Sequence, residues 1–97
     1  MTYVEVQPLA EQELAEAAGW YEEQAPGVGL EFLRAVDATF AAIGREPSMF
    51  PLVYRDLRRA LLRRFPYKVY FVVRDDRVTV VAVVHGRRHP RVWRRRA

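Results

Sequence analysis

The chain has 97 residues, 51% of them hydrophobic, with a net charge of +4 and no cysteine, which is enough for one packed core and excludes disulfides and thiolate metal sites. No run approaches the roughly 18 apolar residues of a membrane helix, and the opening MTYVEVQPLAEQE lacks the basic-then-apolar layout of a signal peptide. A single domain over residues 1–97, cytoplasmic and without membrane contact, is the expectation.

Tyr3 to Val6 alternates apolar and polar residues before Pro8 and reads as a short first strand. From Leu9 to Gln24, Ala10, Leu14, Ala17, Ala18 and Tyr21 fall on one stripe with the glutamates off it, the pattern of an amphipathic helix. Pro26 and Gly27 interrupt it. In the next segment Leu33, Val36, Phe40 and Ile43 share a helical face, and Gly44 is the predicted stop. The short link makes the two helices an antiparallel hairpin. A loop between Pro47 and Pro51 follows, and then three strand-like runs, LRRALLR, YKVYFVVR and RVTVVAVVH.

Asp75 and Asp76 are the predicted two-residue turn between the last two runs. Arg74 then faces Arg77, and the ladder continues as Val73 with Val78, Phe71 with Val80, Val69 with Ala82 and Tyr67 with Val84. That face is apolar apart from a tyrosine hydroxyl and belongs under the helices. Alternation sends Lys68, Tyr70, Val72, Arg74, Arg77, Thr79, Val81, Val83 and His85 to the opposite face, which a two-helix layer cannot also cover. The expected fold is therefore α+β in two layers, ordered β-α-α-β-β-β(β), with an antiparallel sheet backed on one face by a helical hairpin.

Charge is divided along the chain: residues 1–47 hold nine carboxylates against two arginines, and the remainder holds fourteen basic residues against three carboxylates. Such asymmetry points to an acidic partner or is a solvated arginine surface. Lys68 and His85 are placed near one end of the open face, with Arg87 continuing it, and Arg58, Arg59, Arg63 and Arg64 come from the neighbouring strand and its turn. Fixed cations in such a cluster can bind phosphates or offset charge developing during phosphodiester cleavage. Histidine is the side chain whose ordinary pKa suits a proton shuttle near neutral pH, so His85 and His89 are the candidate proton shuttles. The competing reading has His85 donating a structural hydrogen bond at its strand end and His89 shaping a turn before Pro90. No metal and no cofactor are expected, because no acidic ligand lies near these histidines and arginines would repel a cation. Trp93 is read as an anchor for the chain end, and Trp20 and Tyr21 as helix packing. No Gly-rich phosphate loop, Ser-His-Asp arrangement or paired carboxylates occur.

Nearly the whole chain is similar to the RelE/ParE family of bacterial type II toxins, through LAEQELAEAAGWYEEQAPGVGLEFL, REPSMFP and RRALLRRFPYKVYFVVRDDRVTVVAVVHGRRHPRVW. The ending is its most specific part, and His85, Arg87, Arg88, Pro90 and Trp93 resemble the ParE branch. The resemblance implies a RelE-like fold with the first strand beside the last, a role in plasmid stabilisation or a related toxin–antitoxin module, and a cognate antitoxin forming a hetero-oligomer. It implies for the RelE branch a ribosome-dependent mRNA endonuclease, to whose basic cluster Lys68, Arg59 and Arg87 correspond, with His85 as a substitute proton carrier. Two positions depart: Leu61 stands where that branch has a lysine and Trp93 where it has a tyrosine. Leucine cannot hold a phosphate and an indole N–H cannot act as a base. The ParE-like reading is therefore preferred: a toxin without catalytic residues that poisons DNA gyrase, with the ribosome and mRNA as alternative targets and an inactive relic that retains antitoxin binding as a third possibility. For that reading Arg58, Arg59, Arg63, Arg64, Arg87 and Arg88 are the expected target contacts, and Tyr70, Val72, Val81 and Val83 the expected antitoxin face.

Overall fold

The computed structural model describes residues 2–97. Strand β1 (Tyr3–Val6) leads into helices α1 (Pro8–Gln24) and α2 (Val28–Arg45), a 3-10 turn over Pro47–Met49, strands β2 (Leu52–Tyr54), β3 (Leu57–Leu61), β4 (Tyr67–Arg74) and β5 (Arg77–His85), and a short helix α3 (Arg91–Arg94). The sheet order is β1-β5-β4-β3-β2, with β1 parallel to β5 and the other neighbours antiparallel. This is the expected α+β arrangement with β1 beside β5, but the sheet is mixed rather than antiparallel throughout, because β1 runs parallel to β5. The single predicted strand around LRRALLR is preceded by the separate short β2, and α3 was not foreseen. No helix among the described residues is long and apolar enough to cross a membrane.

Pro8 opens α1 where its missing N–H is not needed. The helical hairpin is tied at its turn by Glu22, whose carboxylate accepts from the backbone N–H groups of Gly27 at 3.1 Å and Gly29 at 3.0 Å and so caps the start of α2. At Gly29 a Cβ would lie 2.7 Å from the carbonyl oxygen of Ala18, so glycine there sets how closely the helices approach. Gly44 does not stop α2 as expected. The helix runs on to Arg45, and Gly44 accepts from the backbone N–H of Thr2 at 2.9 Å, a position where any side chain would crowd Val4.

The main core fills the space between hairpin and sheet. Ala10, Ala17, Phe32, Val36 and Ile43 come from the helices, and Ala60, Leu62, Val69, Phe71, Val78, Val80 and Val83 from the sheet side. Tyr21, Phe32, Phe65 and Tyr67 close one end of it, Phe32 meeting Phe65 and Tyr67 edge-on at 5.3 and 5.1 Å. Such geometry suits rings whose faces are negative and edges positive.

The β4–β5 ladder begins as expected. Arg74 pairs with Arg77 across Asp75 and Asp76, Val73 with Val78, and Phe71 with Val80. It then slips: Tyr70 pairs with Ala82, Val69 with Val83 and Tyr67 with His85, leaving Val81 as an extra residue. One inserted residue reverses the facing of everything beyond it. The expected pairs Val69 with Ala82 and Tyr67 with Val84 are thereby corrected, and Val83 and His85 lie on the helix side while Ala82 and Val84 lie on the other.

The second face of the sheet is not open. After His85 the chain returns as α3 and lays Trp93 flat on Tyr70, ring centroids 4.2 Å apart at 13°. Leu57, Tyr70, Val81, Ala82, Val84 and Trp93 form a second buried cluster, with Val53, Tyr54, Val72 and Val92 packed on it. The inferred antitoxin face is corrected accordingly: Tyr70 is 2% exposed, Val81 is buried beneath α3, Val83 belongs to the other core, and Val72 alone keeps partial access.

Candidate docking groove and basic strand ends

A groove of about 720 Å³ lies between α2 and the β3–β4 connection. Ala35, Ala38, Thr39 and Ala42 present a small-residue wall of α2, and Phe50, Leu61 and Phe65 supply the opposite apolar wall. The trough exists because short side chains recur three and four residues apart and leave space that leucines would fill. Arg34 and Arg45 from α2 and Arg63 and Arg64 from the loop line its rim, with Glu31 at one position. Arg64 sits at φ +70, a left-handed conformation that turns the loop sharply. The combination of apolar floor and cationic rim accepts an amphipathic segment with acidic flanks.

A second recess of about 280 Å³ lies at the strand ends and is lined by Leu61, Phe65, Pro66, Tyr67, Lys68, His85, Gly86 and Arg87, among others. It gathers Lys68, His85 and Arg87 although the bulge moves His85 to the helix side. Arg59 is not among its lining residues; it lies opposite Tyr70 on the face that α3 covers. The backbone N–H of Arg87 donates to Nδ1 of His85 at 3.0 Å, so a neutral ring carries its proton on Nε2 and offers no free lone pair. His85 thus accepts the structural hydrogen bond it was expected to donate. His89 accepts likewise from the N–H of Arg91 at 3.1 Å, in keeping with a turn-forming role.

Neighbouring tyrosines are also poor bases. Burial raises the pKa of Tyr67, against a lowering by Arg88, and burial raises that of Tyr70, against a hydrogen bond and charge from Arg59. Both phenols are neutral near pH 7. Trp93 is 6% exposed and turned onto Tyr70, away from either recess.

The six expected target contacts are dispersed. Arg58 is committed to the preceding loop, donating to the carbonyl oxygens of Phe50 at 2.6 Å and Ser48 at 3.4 Å. Arg59 lies beside Tyr70. Arg63 and Arg64 line the groove, Arg87 the recess at the strand ends, and Arg88 a further depression beside Glu13, Glu16 and Trp20. Arg34 and Arg45, which the sequence reading passed over, belong to the groove. Their signal was available: both fall on the face of α2 that carries the alanines rather than the leucine and phenylalanines.

The family model described as ParE toxin of type II toxin-antitoxin system, parDE, matches residues 4–90. Toxin ParE2 of Mycobacterium tuberculosis, in strains CDC 1551 / Oshkosh and ATCC 25618 / H37Rv, is 31% identical over 81 residues, covering 82% of this chain and 77% of that protein. Among solved structures, a chain of the chromosomal ParDE TA system from P. aeruginosa shares the fold with a TM-score of 0.77 at 15% identity, covering 88% of this chain and 96% of that one.

Proposed function

The chain belongs to the ParE toxin family of type II toxin–antitoxin systems, and from that premise we propose that it arrests growth in the cytoplasm by docking on DNA gyrase and is neutralised by a cognate antitoxin. The antitoxin segment lies in the α2 groove, its apolar side on Ala35, Ala38, Ala42 and Phe65 and its acidic flanks against Arg34, Arg45, Arg63 and Arg64. Gyrase meets the groove rim formed by Arg63 and Arg64 together with the strand-end recess that Arg87 lines. Leu61 and Phe65 line both the groove and the strand-end recess. An antitoxin seated in the groove therefore covers part of the target surface, which accounts for neutralisation by occlusion.

The observation that favours binding over chemistry is the commitment of the would-be catalytic groups: Trp93 is packed on Tyr70, and His85 Nδ1 is occupied by the Arg87 N–H. Purified chain added to gyrase and plasmid should block supercoiling or leave cleaved complexes, and unaltered gyrase activity at excess toxin would refute the target.

The gathering of Lys68, His85 and Arg87 favours one second reading, ribosome-dependent mRNA cleavage. Primer extension after induction separates the two. Intact transcripts in arrested cells exclude cleavage, and cuts within translated codons would replace the gyrase reading.

A further inference from the structure

The short helix α3 has one side embedded and one side bare. Val92 and Trp93 pack on the second core cluster, while Arg91, Arg94 and Arg95 are exposed at positions i, i+3 and i+4. That spacing places the three guanidiniums on one wall of the helix, where like charges repel. A fourth joins them. Arg55, held at φ +52 in the turn between β2 and β3, and Arg94 both sit over the ring of Tyr54, at 5.2 and 5.1 Å from its centroid. None of the four has a carboxylate partner: the ion pairs among the described residues are Arg74 with Asp56 and Arg96 with Glu13.

We propose that this arginine bank, Arg55, Arg91, Arg94 and Arg95, binds the phosphate backbone of double-stranded DNA. Four exposed or ring-stacked cations without an ion-pair partner, of which only Arg55 feels a nearby carboxylate, that of Asp56, are relieved by a ligand with regularly spaced anions. Arginine suits that ligand because its planar fork can hold two phosphate oxygens and its charge is weakly hydrated. The bank differs from the α2 groove in having no apolar floor. Trp93 and Val92 are used in packing and the Tyr54 ring is covered by guanidiniums, so an acidic peptide would find nothing to bury. The same absence of a free aromatic face argues against single strands, whose binding relies on stacked bases. A duplex hides its bases and offers only charge, which is all this surface receives. The site goes beyond the gyrase reading and does not depend on it.

The test is fluorescence anisotropy of the full chain with a short labelled duplex between 50 and 200 mM salt. Binding in the range of roughly 10⁻⁴ to 10⁻⁶ M is expected, weakening with salt along a log–log slope of about −3.6 for four phosphate contacts. The combined variant Arg91→Gln, Arg94→Gln and Arg95→Gln should lose at least about tenfold at 50 mM and most of that slope, each phosphate contact contributing about −0.9. A charge-matched control, Arg34→Gln, Arg45→Gln and Arg63→Gln, should bind DNA nearly as the native chain does, with both variants melting near the native temperature. No binding at 50 mM, equal losses in the two variants, or a preference for single strands would overturn the proposal. Gyrase inhibition that persists without DNA binding would remove this site and leave the proposed target standing.

Discussion

Arg96, next to the end of the chain, reaches back to Glu13 in the first helix, Nη1 to Oε1 at 2.8 Å and Nη2 to Oε2 at 3.1 Å. The pair sits where β5 has run past β1, whose last register partner is Val80. Beyond it, Val81 carbonyl oxygen accepts from Arg96 at 3.0 Å and the N–H of Val83 donates to Glu13 at 3.1 Å. Two side chains thus satisfy backbone groups that a neighbouring strand would have taken, and they tie α1, the β5 bulge and the tail together.

Glu13→Ala should cost about 1–3 kcal/mol, because it leaves the Val83 N–H and the guanidinium without their acceptor. Arg96→Ala should fall in the same range, since a carboxylate only about a fifth exposed is left without its counter-charge. Urea unfolding of both singles and the double mutant checks this. The double should cost less than the two singles together, by about 0.5–3 kcal/mol, as expected of groups that act as one unit.

Trp93→Ala should cost about 3–5 kcal/mol and expose the second core cluster to a hydrophobic dye. Trp20 is 56% exposed, and Trp20→Ala should stay within about 0.5 kcal/mol of the native chain. Thermal melts of the two variants decide whether α3 is an integral layer or a loose tail. Equal stabilities would contradict its role as a lid on Tyr70.

Much of this architecture is written in local pattern. The stripe of Ala10, Ala17 and Ala18 and the face of Val36 and Ile43 identify the helices, and Asp75-Asp76 identifies the turn with its first pairs. The bulge at Val81 is not legible, because Val80-Val81-Ala82-Val83-Val84 is apolar throughout and either facing buries the same kind of side chain. Alternation carries register information only where the two faces differ in polarity. From that single residue follow the displacement of His85 and Val83 to the helix side, while Tyr70 and Val81 leave the expected antitoxin face because α3 covers them. Trp93 was legible as an anchor, but not the surface it anchors to, since α3 is too short for any periodicity. The groove escaped notice because it is made by what its alanines lack.

The corrected facing changes what a test at Val83 reads. Val83→Asp places an unpaired carboxylate in the main core and should unfold the chain rather than trim a binding face, at a cost above about 3 kcal/mol. Circular dichroism of the variant distinguishes the outcomes, and a folded, native-like spectrum would contradict the helix-side placement.

Alkaline pH should destabilise the fold through its buried phenols. Burial raises the pKa of Tyr21, Tyr67 and Tyr70 above the ordinary value of 10.0. The unfolded chain then releases these protons first and the native chain retains them, so stability is intact below pH 10 and falls as pH rises through the folded-state values. Tyrosinate absorbance and melting temperature followed from pH 8 upward check the sign. Tyr70→Phe should shallow the decline, and an unchanged slope would show that Tyr70 is not protected.

The most direct test of the account is calorimetric titration of the chain, native and Ala38→Glu, with the proposed cognate antitoxin. Ala38 is exposed on the groove wall, so the substitution leaves the core intact while presenting a carboxylate to the apolar side of the bound segment. The new carboxylate enters the apolar contact and pairs with Arg34 one turn away, withdrawing that cation from the acidic flank, which should weaken binding by at least about tenfold. Undiminished affinity with a native melting curve would contradict the groove as the antitoxin site.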